Sequence, residues 1–471
     1  MVGFILPANS ATGGYEISNS LRCDIDSSGT LTKTNSGAGN QRTWTFSCWV
    51  KRSVLRSSGA RTIFGTTDGE SDSLRFQSDG LNFFNNGTAD SNLSTNRLFR
   101  DVSAWYHIVL AFDTTQGTAA NRVKLYINGS QYTWDNATTY PDENYQGQIN
   151  DASNIQSLNK AHNAAELAGY IAEVHLTDGT AYAASDFGET NDNGVWVPKK
   201  ASVSYGTNGY YFEFKQTGTS ADASGMGADT SGNTNHYTVA NFTATDVTTD
   251  TPTNNFCTLN PLHNFRNDPT YSEGNTKVVF ADGGNGASPL STFAVNSGKW
   301  YWEAKFVQTS DPGHGAIAVG IVDANQYNVD SGADEYFDRF DFGFSYNTDG
   351  KKKSNNSDAN FGDEFNNGDI IGVAVDFDNS QIYFSKNGTF QDSGDPTSGA
   401  SGTGSAFNFA AGTYYFAVYA YQDENSWEVN FGNPPHTISS GNSDADGHGN
   451  FEFAVPSGYF ALCTKNLAEY G

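Results

Sequence analysis

The fold of this chain is indicated by the stretch HIVLAFDTTQG (residues 107–117), which continues into RVKLYINGS (122–130). An apolar strand ends on Asp, a polar turn follows, and an aromatic strand then leads into Asn-Gly, a pair that favours the tight turn of an antiparallel hairpin. The same order recurs in DIIGVAVDFDN (369–379) and QIYFSKNGT (381–389). The repetition predicts two β-sandwiches built on related plans.

The composition agrees with an all-β fold. The 471 residues exceed what one hydrophobic core usually supports, and 33 Phe, 24 Tyr and 50 Gly against two Met favour sheets and turns over helices. Residues 217–255 are rich in Gly, Ser, Thr and Asn and read as a polar connector ordered by a few anchors. We therefore predict two tandem antiparallel β-sandwiches, one over residues 1–216 and one over 256–471, joined by the connector 217–255.

Finer patterns give two local predictions. In the stretch AWYHIVLAFD, alternation places Ile108, Leu110 and Phe112 on one face of a strand and Trp105, His107, Val109 and Ala111 on the other. The stretch NKAHNAAELAG (159–169) is the one segment with a helical pattern, and Gly169 would end that helix.

Charge and cysteine usage narrow the class of protein. Lys and Arg number 26 against 52 Asp and Glu, and the resulting charge of −26 opposes binding to nucleic acid. The N-terminal MVGFILPANS lacks the basic start and long apolar core of a signal peptide, and no segment approaches the ~18 apolar residues of a membrane span. We therefore expect synthesis in a cytoplasm. A cytoplasmic origin argues against disulfides, and no metal-binding spacing occurs among the four cysteines, so we expect buried free thiols at Cys23, Cys48, Cys257 and Cys463.

The motifs resemble known families. TFSCWVKRS (45–53), the hairpin at 107–130 and GYIAEVHLTDGT (169–180) are similar to laminin G-like, concanavalin A-like jelly rolls. GKWYWEAKF (298–306) and the hairpin at 369–389 are similar to SPRY domains. The combination with SLRC, DGTAYAASDFGE, GVWVPK and DTPTNNFCTLNP resembles structural proteins of marine tailed bacteriophages, which implies a virion protein made in the host cytoplasm.

The sequence does not indicate an enzyme. Jelly-roll glycosidases need two carboxylates beside the scissile bond, and the string beginning at Glu70 has Arg75 where the second glutamate of the glucanase signature would stand. The motifs GxSxG, HExxH, Walker A and GxGxxG are absent from the sequence. A glycan-degrading enzyme therefore remains the third hypothesis, behind two non-enzymatic ones.

Calcium is the one ion that the sequence suggests. Asp444, Asp446 and His448 resemble the start of a calcium loop, but Val455 replaces the bidentate acid, so Asx turns in a solvated loop are the favoured interpretation. A second acidic stretch lacks fixed spacing and carries the candidates Asp330, Asp334 and Asp338. We predict no cofactor, with Ca²⁺ as the alternative.

Sugar binding would use aromatic side chains on loops at the sandwich edges. One such loop contains Trp134, Tyr140 and Tyr145, and the other contains Tyr327, Tyr336 and Arg339. Packing or subunit contact is an alternative for both sets.

We expect a homo-oligomer, with a trimer favoured, in a tail fibre or appendage that binds host-surface glycans and contacts other virion proteins. The alternative is a capsid or tail decoration protein that makes protein contacts alone. Neither nucleic-acid binding nor membrane insertion is expected.

Overall fold

The computed structural model describes residues 14–24, 27–55, 59–68, 71–85, 91–137, 139–162, 164–265, 269–280, 287–308, 317–324, 337–339, 341–420 and 425–471. The chain forms two compact units, the first ending at Asn255 and the second running from Phe256 to Gly471. Antiparallel sheets dominate both units, as predicted.

The first unit contains one eight-stranded sheet and one nine-stranded sheet. In spatial order, the eight-stranded sheet contains Ser130–Tyr132, Val123–Ile127, Trp105–Asp113, Thr43–Arg52, Gly169–Asp178, Ser20–Cys23 and Val247–Thr248, with Tyr210–Phe212 also pairing with Gly169–Asp178. The nine-stranded sheet contains Asn136–Ala137, Ser91–Ser94, Gly80–Asn85, Asp72–Gln77, Ala60–Thr66, Ile155–Leu158, Thr30–Thr34 and Thr238–Ala240, with Ala165–Glu166 pairing parallel to Ala60–Thr66. A two-stranded ribbon, Gly188–Thr190 with Trp196–Pro198, and the 3₁₀ turns Ala119–Asn121, Ala184–Asp186 and Ala244–Asp246 complete the unit.

The two large sheets of the first unit enclose one core. Phe46 of one sheet stacks on Phe64 of the other with ring centroids 4.4 Å apart, a contact worth ~1 kcal/mol beyond the area it buries. Ile108, Leu110 and Phe112 all belong to this core, which confirms the predicted face of their strand. Residues on the opposite face of that strand are covered as well: Trp105 and Val109 pack in two separate clusters.

Residues 217–255 belong to the first unit. Within them, Thr238–Ala240 pairs with Thr30–Thr34 and Val247–Thr248 pairs with Ser20–Cys23, so the segment adds an outer strand to each large sheet. Buried side chains such as Met226, Tyr237 and Phe242 attach it to the core.

The prediction of a helix over residues 159–169 is wrong. Asn159 has a φ of 71°, in the left-handed region, and its side chain binds backbone groups by accepting from Leu167 N–H (2.7 Å) and donating to the Gly29 carbonyl (2.6 Å). These two bonds hold Asn159 in a conformation that cannot belong to a right-handed helix, so the predicted helix does not begin there. The segment instead contributes the short strand Ala165–Glu166.

The second unit is built from a seven-stranded and an eight-stranded sheet. In spatial order, the seven-stranded sheet contains Leu259–Phe265, Ser288–Val295, Tyr414–Ala420, Ile317–Asp323, Gly343–Asn347, Lys351–Ser354 and Ser357–Asn360. The eight-stranded sheet contains Thr270–Ser272, Lys277–Val279, Ser426–Asn430, Lys299–Val307, Ile370–Asp376, Gln381–Lys386 and Thr389–Phe390, with Phe407–Asn408 also pairing with Gln381–Lys386. The 3₁₀ turns Glu273–Asn275, Phe337–Arg339, Gln391–Ser393 and Pro396–Ser401 and the α-helix Thr464–Tyr470 complete the unit.

Both duplicated hairpins form where the sequence predicts them. Trp105–Asp113 pairs with Val123–Ile127, and Ile370–Asp376 pairs with Gln381–Lys386. Each second strand then turns at its Asn-Gly pair, where Asn128 and Asn387 have φ values of 46° and 47° and the glycines that follow have 81°. These are the left-handed conformations that a type I′ turn requires.

All four cysteines are buried free thiols, as predicted. Among the described residues, no helix combines the length and the apolar character needed to cross a membrane.

Candidate functional site

The nine-stranded sheet of the first unit carries a row of polar side chains on the face opposite its core. Leu74 and Phe76 point into the core, so the residue between them, Arg75, lies on the outer face. Register pairs Arg75 with Asn82 and Asn82 with Ser94, and Asn136 lies opposite Ser94 on the edge strand. The row thus crosses four neighbouring strands.

A groove of about 350 Å³ lies over this row, and we call it the polar groove. Its lining consists of Gln77, Ser78, Gly80, Asn82, Asn92, Ser94, Thr95, Asn96 and Leu98. Leu98 is 46% exposed, one of two large apolar side chains so exposed among the described residues. Planar amides beside an apolar side chain match a sugar, which presents hydroxyl groups at its edge and C–H groups on its face.

Hydrogen bonds hold the amides of the polar groove in place. The Asn82 amide donates to Asn92 Oδ1 and to the Leu93 carbonyl (3.0 Å), and its Oδ1 accepts from Arg75 Nε (2.9 Å). The Asn136 amide donates to Asn96 Oδ1 (3.0 Å) from the neighbouring strand. Because these bonds fix the amide orientations before any ligand arrives, binding would cost little side-chain entropy.

The loop that was predicted to present Trp134, Tyr140 and Tyr145 is packed against the core of the first unit. Trp134 is 6% exposed, and its indole N–H donates to the Val123 carbonyl (3.0 Å). Tyr140 and Tyr145 are half-buried against the same core, and the Tyr145 hydroxyl accepts from the Asn85 amide (3.1 Å). The structure therefore favours the packing alternative for these three residues.

The second predicted loop is described in part. Tyr327, Tyr336, Asp330 and Asp334 lie outside the described residues. Arg339 is half-buried at the end of the turn Phe337–Arg339. Asp338 is 1% exposed, accepts from the Ser345 hydroxyl (2.6 Å) and lies 3.8 Å from Lys353 Nζ.

The Asp444 carboxylate is satisfied by hydrogen bonds within the protein. Oδ1 accepts from the backbone N–H groups of Asp446 (3.0 Å) and His448 (2.8 Å), while Oδ2 accepts from Ala461 N–H (2.9 Å) and the Asn466 amide (2.8 Å). Asp446 accepts from the Tyr470 hydroxyl (2.9 Å). In the described part of the chain, no group of three or more potential ligands is arranged to hold a metal ion.

A second groove, of about 530 Å³, lies in the second unit beside the strand Thr389–Phe390. Gln391 supports it by accepting from Asp363 N–H (2.8 Å) and donating to the Thr389 carbonyl (2.8 Å). Asp363 and Asp392 are among its lining residues, so this groove is acidic.

The polar groove was not predicted, although the stretch LRFQSDGLNFFNN (74–86) contains a pattern that points to it. Arg75, Gln77 and Asn82 alternate there with the core residues Leu74, Phe76, Leu81 and Phe83. Polar residues at every second position of two paired strands indicate a sheet face that lies outside the core. The predicted sugar-binding residues lie on loops instead, because they were chosen as aromatic side chains outside strands.

Two family models match the chain. Residues 26–185 match the concanavalin A-like lectin/glucanases superfamily, and residues 299–434 match the SPRY domain. The first match contains every residue that lines the polar groove. The second contains every residue that lines the acidic groove.

Curated relatives match over short stretches. An ATP-dependent RNA helicase DDX1 from Xenopus laevis is 39% identical over 98 residues, which are 21% of this chain and 12% of the helicase. A probable ATP-dependent RNA helicase ddx1 from Dictyostelium discoideum is 31% identical over 145 residues, which are 31% of this chain and 16% of the helicase. The chain therefore spans less than a fifth of the length of either relative.

Solved structures with similar parts include the SPRY domain of human HERC1, at 18% identity and a TM-score of 0.28, covering 36% of this chain and 96% of that one. A protein from Bacteroides ovatus, described as a candidate carbohydrate-binding protein, has 14% identity and a TM-score of 0.30 and covers 48% of this chain and 58% of its own. The two family models and the sheets described above show that this chain combines a concanavalin A-like, laminin G-like sandwich with a SPRY domain in tandem.

Proposed function

We propose that the chain is a structural protein of a tailed-phage particle whose first unit binds host-surface glycans in the polar groove. The observation that carries the binding proposal is the fixed row of planar amides beside exposed Leu98, on a lectin-type sandwich. The phage assignment rests on the sequence motifs. A position in a tail fibre or appendage follows from the two together.

The groove favours binding over hydrolysis. Glycoside hydrolysis uses two carboxylates on either side of the scissile bond. The residues that line the polar groove within the described part of the chain are amides, hydroxyls, Gly80 and Leu98. We therefore assign the groove a non-enzymatic role.

A homo-oligomer, with a trimer favoured, would strengthen such binding. Sites for a single sugar unit are weak, and several copies on one particle raise the effective affinity without any new contact. Fibre-type assembly and glycan binding therefore support each other in this proposal.

The test is glycan binding by the purified chain on an array that includes host-derived polysaccharides. The double substitution Asn92→Ala with Leu98→Ser changes two exposed lining residues, and we expect at least tenfold weaker binding. Asn360→Ala, in the acidic groove of the second unit, is the matched control and should bind like the wild type. Unchanged binding by the double variant, or no binding by the wild type, would overturn the proposal.

A decoration protein of the capsid or tail is the second candidate. The strand Ser357–Asn360 favours it, because all four residues are exposed and the strand ends its sheet within the described residues. Exposed edge strands pair readily with other chains. Locating the protein in intact particles by antibody labelling separates the two roles, since a glycan binder must be accessible at the adsorption apparatus.

A further inference from the structure

We infer that the polar groove selects acidic sugars, whose carboxylate or sulfate group binds Arg75. This inference rests on the proposed glycan binding and specifies its ligand class. It is carried by the position of Arg75 and by the kinds of groups that surround it.

Arg75 is a nearly buried cation that has no carboxylate partner among the described residues. It is 8% exposed, and no Asp or Glu among the described residues lies within ion-pair distance of its guanidinium. Its partners are the neutral oxygens of Asn82 (2.9 Å) and Gln77 (3.3 Å) and the ring of Phe84, whose centroid lies 4.2 Å from the guanidinium carbon. Buried arginines normally pair with an anion, because neutral partners compensate lost hydration incompletely.

The guanidinium adjoins the polar groove. Both of its amide partners, Gln77 and Asn82, line the groove. These two bonds use Nε and Nη2, and Nη1 has no protein acceptor within the described part of the chain. Guanidinium N–H groups match carboxylate and sulfate oxygens in geometry and charge.

Within the described part of the chain, neighbouring charges do not cancel the charge of Arg75. Asp79, which lies between two lining residues, is paired with Arg52 (2.9 Å) and Arg100 (3.0 Å). Asp135 lies at the groove rim, where it accepts from the Tyr132 hydroxyl (2.6 Å) and from Asn96 N–H (2.7 Å). We therefore expect the acidic group of the sugar near Gln77 and Asn82, at the Arg75 end. The overall charge of −26 would oppose unspecific binding of polyanions, so a local cation is required for such a ligand.

The experiment compares pairs of polysaccharides that share a backbone. Polygalacturonate is paired with its carboxyl-reduced product, and dextran sulfate with dextran, so that carboxylate and sulfate are distinguished. We expect the chain to bind the acidic member of at least one pair tenfold more tightly. Arg75→Gln should remove that preference, so that both members of the pair bind with the same affinity, while Arg122→Gln, which changes a partly buried arginine elsewhere in the first unit, should keep the wild-type preference.

Each other outcome contradicts the inference. Equal binding of both members, or an Arg75→Gln variant that keeps the preference, overturns acidic-sugar selection and leaves glycan binding intact. Absence of binding to any glycan overturns the proposed function as well. If Arg75→Gln does not fold, the salt dependence of wild-type binding tests the inference instead. The affinity for the acidic member must fall as the ionic strength rises, while the affinity for the neutral member stays constant.

Discussion

The guanidinium carbon of Arg75 lies 4.2 Å from the centre of the Phe84 ring, and both side chains lie on the outer face of the nine-stranded sheet. The ring holds the cation in one orientation and shields one side of it from water. The other side adjoins the amides of the polar groove. The position of Phe84 on the sheet therefore sets the position of the cation that we propose for ligand selection.

Replacing the Phe84 ring should weaken the binding of acidic glycan and lower the stability of the first unit modestly. Phe84→Leu removes a cation–π contact worth ~0.5–2 kcal/mol, so we expect binding of acidic glycan to fall about threefold or more. Phe390→Leu changes a half-buried Phe of the second unit and serves as the control. Isothermal titration measures both variants. Unaltered affinity in Phe84→Leu would show that Arg75 does not depend on the ring.

The segment 217–255 should be essential for the stability of the first unit. Lys51 lies 2.6 Å from Asp250, and both side chains are at most 1% exposed. Lys51→Met would leave the Asp250 carboxylate buried without its cation, at a cost of about 3–5 kcal/mol. Urea unfolding followed by tryptophan fluorescence measures the loss.

The exposed pair Lys215–Glu213, also at 2.6 Å, provides the control for that experiment. The Lys215 side chain is 52% exposed, so Lys215→Met should cost ~1 kcal/mol or less. Equal losses in the two variants would contradict the importance assigned to the buried pair.

Acid should destabilise the first unit through His107. Burial, followed by the charge of His175, lowers the pKa of His107 to about 3. The Trp196 indole N–H donates to His107 Nδ1 (3.0 Å), and His107 Nε2 lies 3.0 Å from the Ser47 hydroxyl, so the folded state requires the neutral ring. Because the pKa is depressed on folding, the stabilisation is complete above the unfolded pKa of about 6.5 and is lost as the pH falls toward 3.

The expected slope is ~1.4 kcal/mol per pH unit, or ~2 kcal/mol between pH 6.5 and 5.0. Chemical unfolding at these two pH values measures it. His107→Gln, which cannot be protonated, should show a much smaller difference. A wild-type stability that stays constant over this range would refute the assignment.

The main elements of the fold could be predicted because short-range rules determine them. Ile108, Leu110 and Phe112 alternate with residues of the other face, and the Asn128–Gly129 turn adopts the conformation that the pair favours. The predicted helix at 159–169 failed because the Asn159 side chain binds Gly29, a contact across 130 positions that local patterns do not contain.

The polar groove was harder to predict than the sheets. It depends on which strands are neighbours: Arg75, Asn82 and Ser94 come together through the register of three strands. Trp134 was predicted on a loop surface because its neighbours in the sequence are polar. Its indole instead enters the core and donates to the Val123 carbonyl, which only the tertiary structure reveals.

Calcium should have no effect on the Asp444 region. Four donors already occupy the carboxylate oxygens of Asp444, so thermal unfolding should be the same with calcium and with a chelator. Asp444→Asn places an amide against these donors and should cost about 1–3 kcal/mol under both conditions. Asp446→Asn, which affects the bond from Tyr470, should cost less. A calcium-dependent shift in the wild type would restore the ion-site hypothesis.

The strand Ser357–Asn360 should mediate self-association if the chain assembles through sheet edges. Asn355 and Asn356, which join this strand to the strand before it, have φ values of 52° and 54°, as in a type I′ turn. In such a turn the flanking residues, Ser354 and Ser357, form the hydrogen-bonded pair next to the loop. Alternation along the ladder then directs the N–H groups of Asp358 and Asn360 away from the neighbouring strand. These are the groups that a second copy would bind.

Asn360→Pro removes one of those outward N–H groups without breaking a bond of the existing ladder, whereas Asn360→Ala keeps it. Light scattering coupled to size exclusion should show oligomers for the wild type and Asn360→Ala and a lower mass for Asn360→Pro. A proline variant that keeps the wild-type mass would place the subunit contact elsewhere on the chain, and a monomeric wild type would contradict the expected homo-oligomer itself. The polar groove lies in the first unit, so the affinity of one chain for a single glycan should be equal in both variants. Loss of assembly should lower only the avidity for multivalent glycan surfaces.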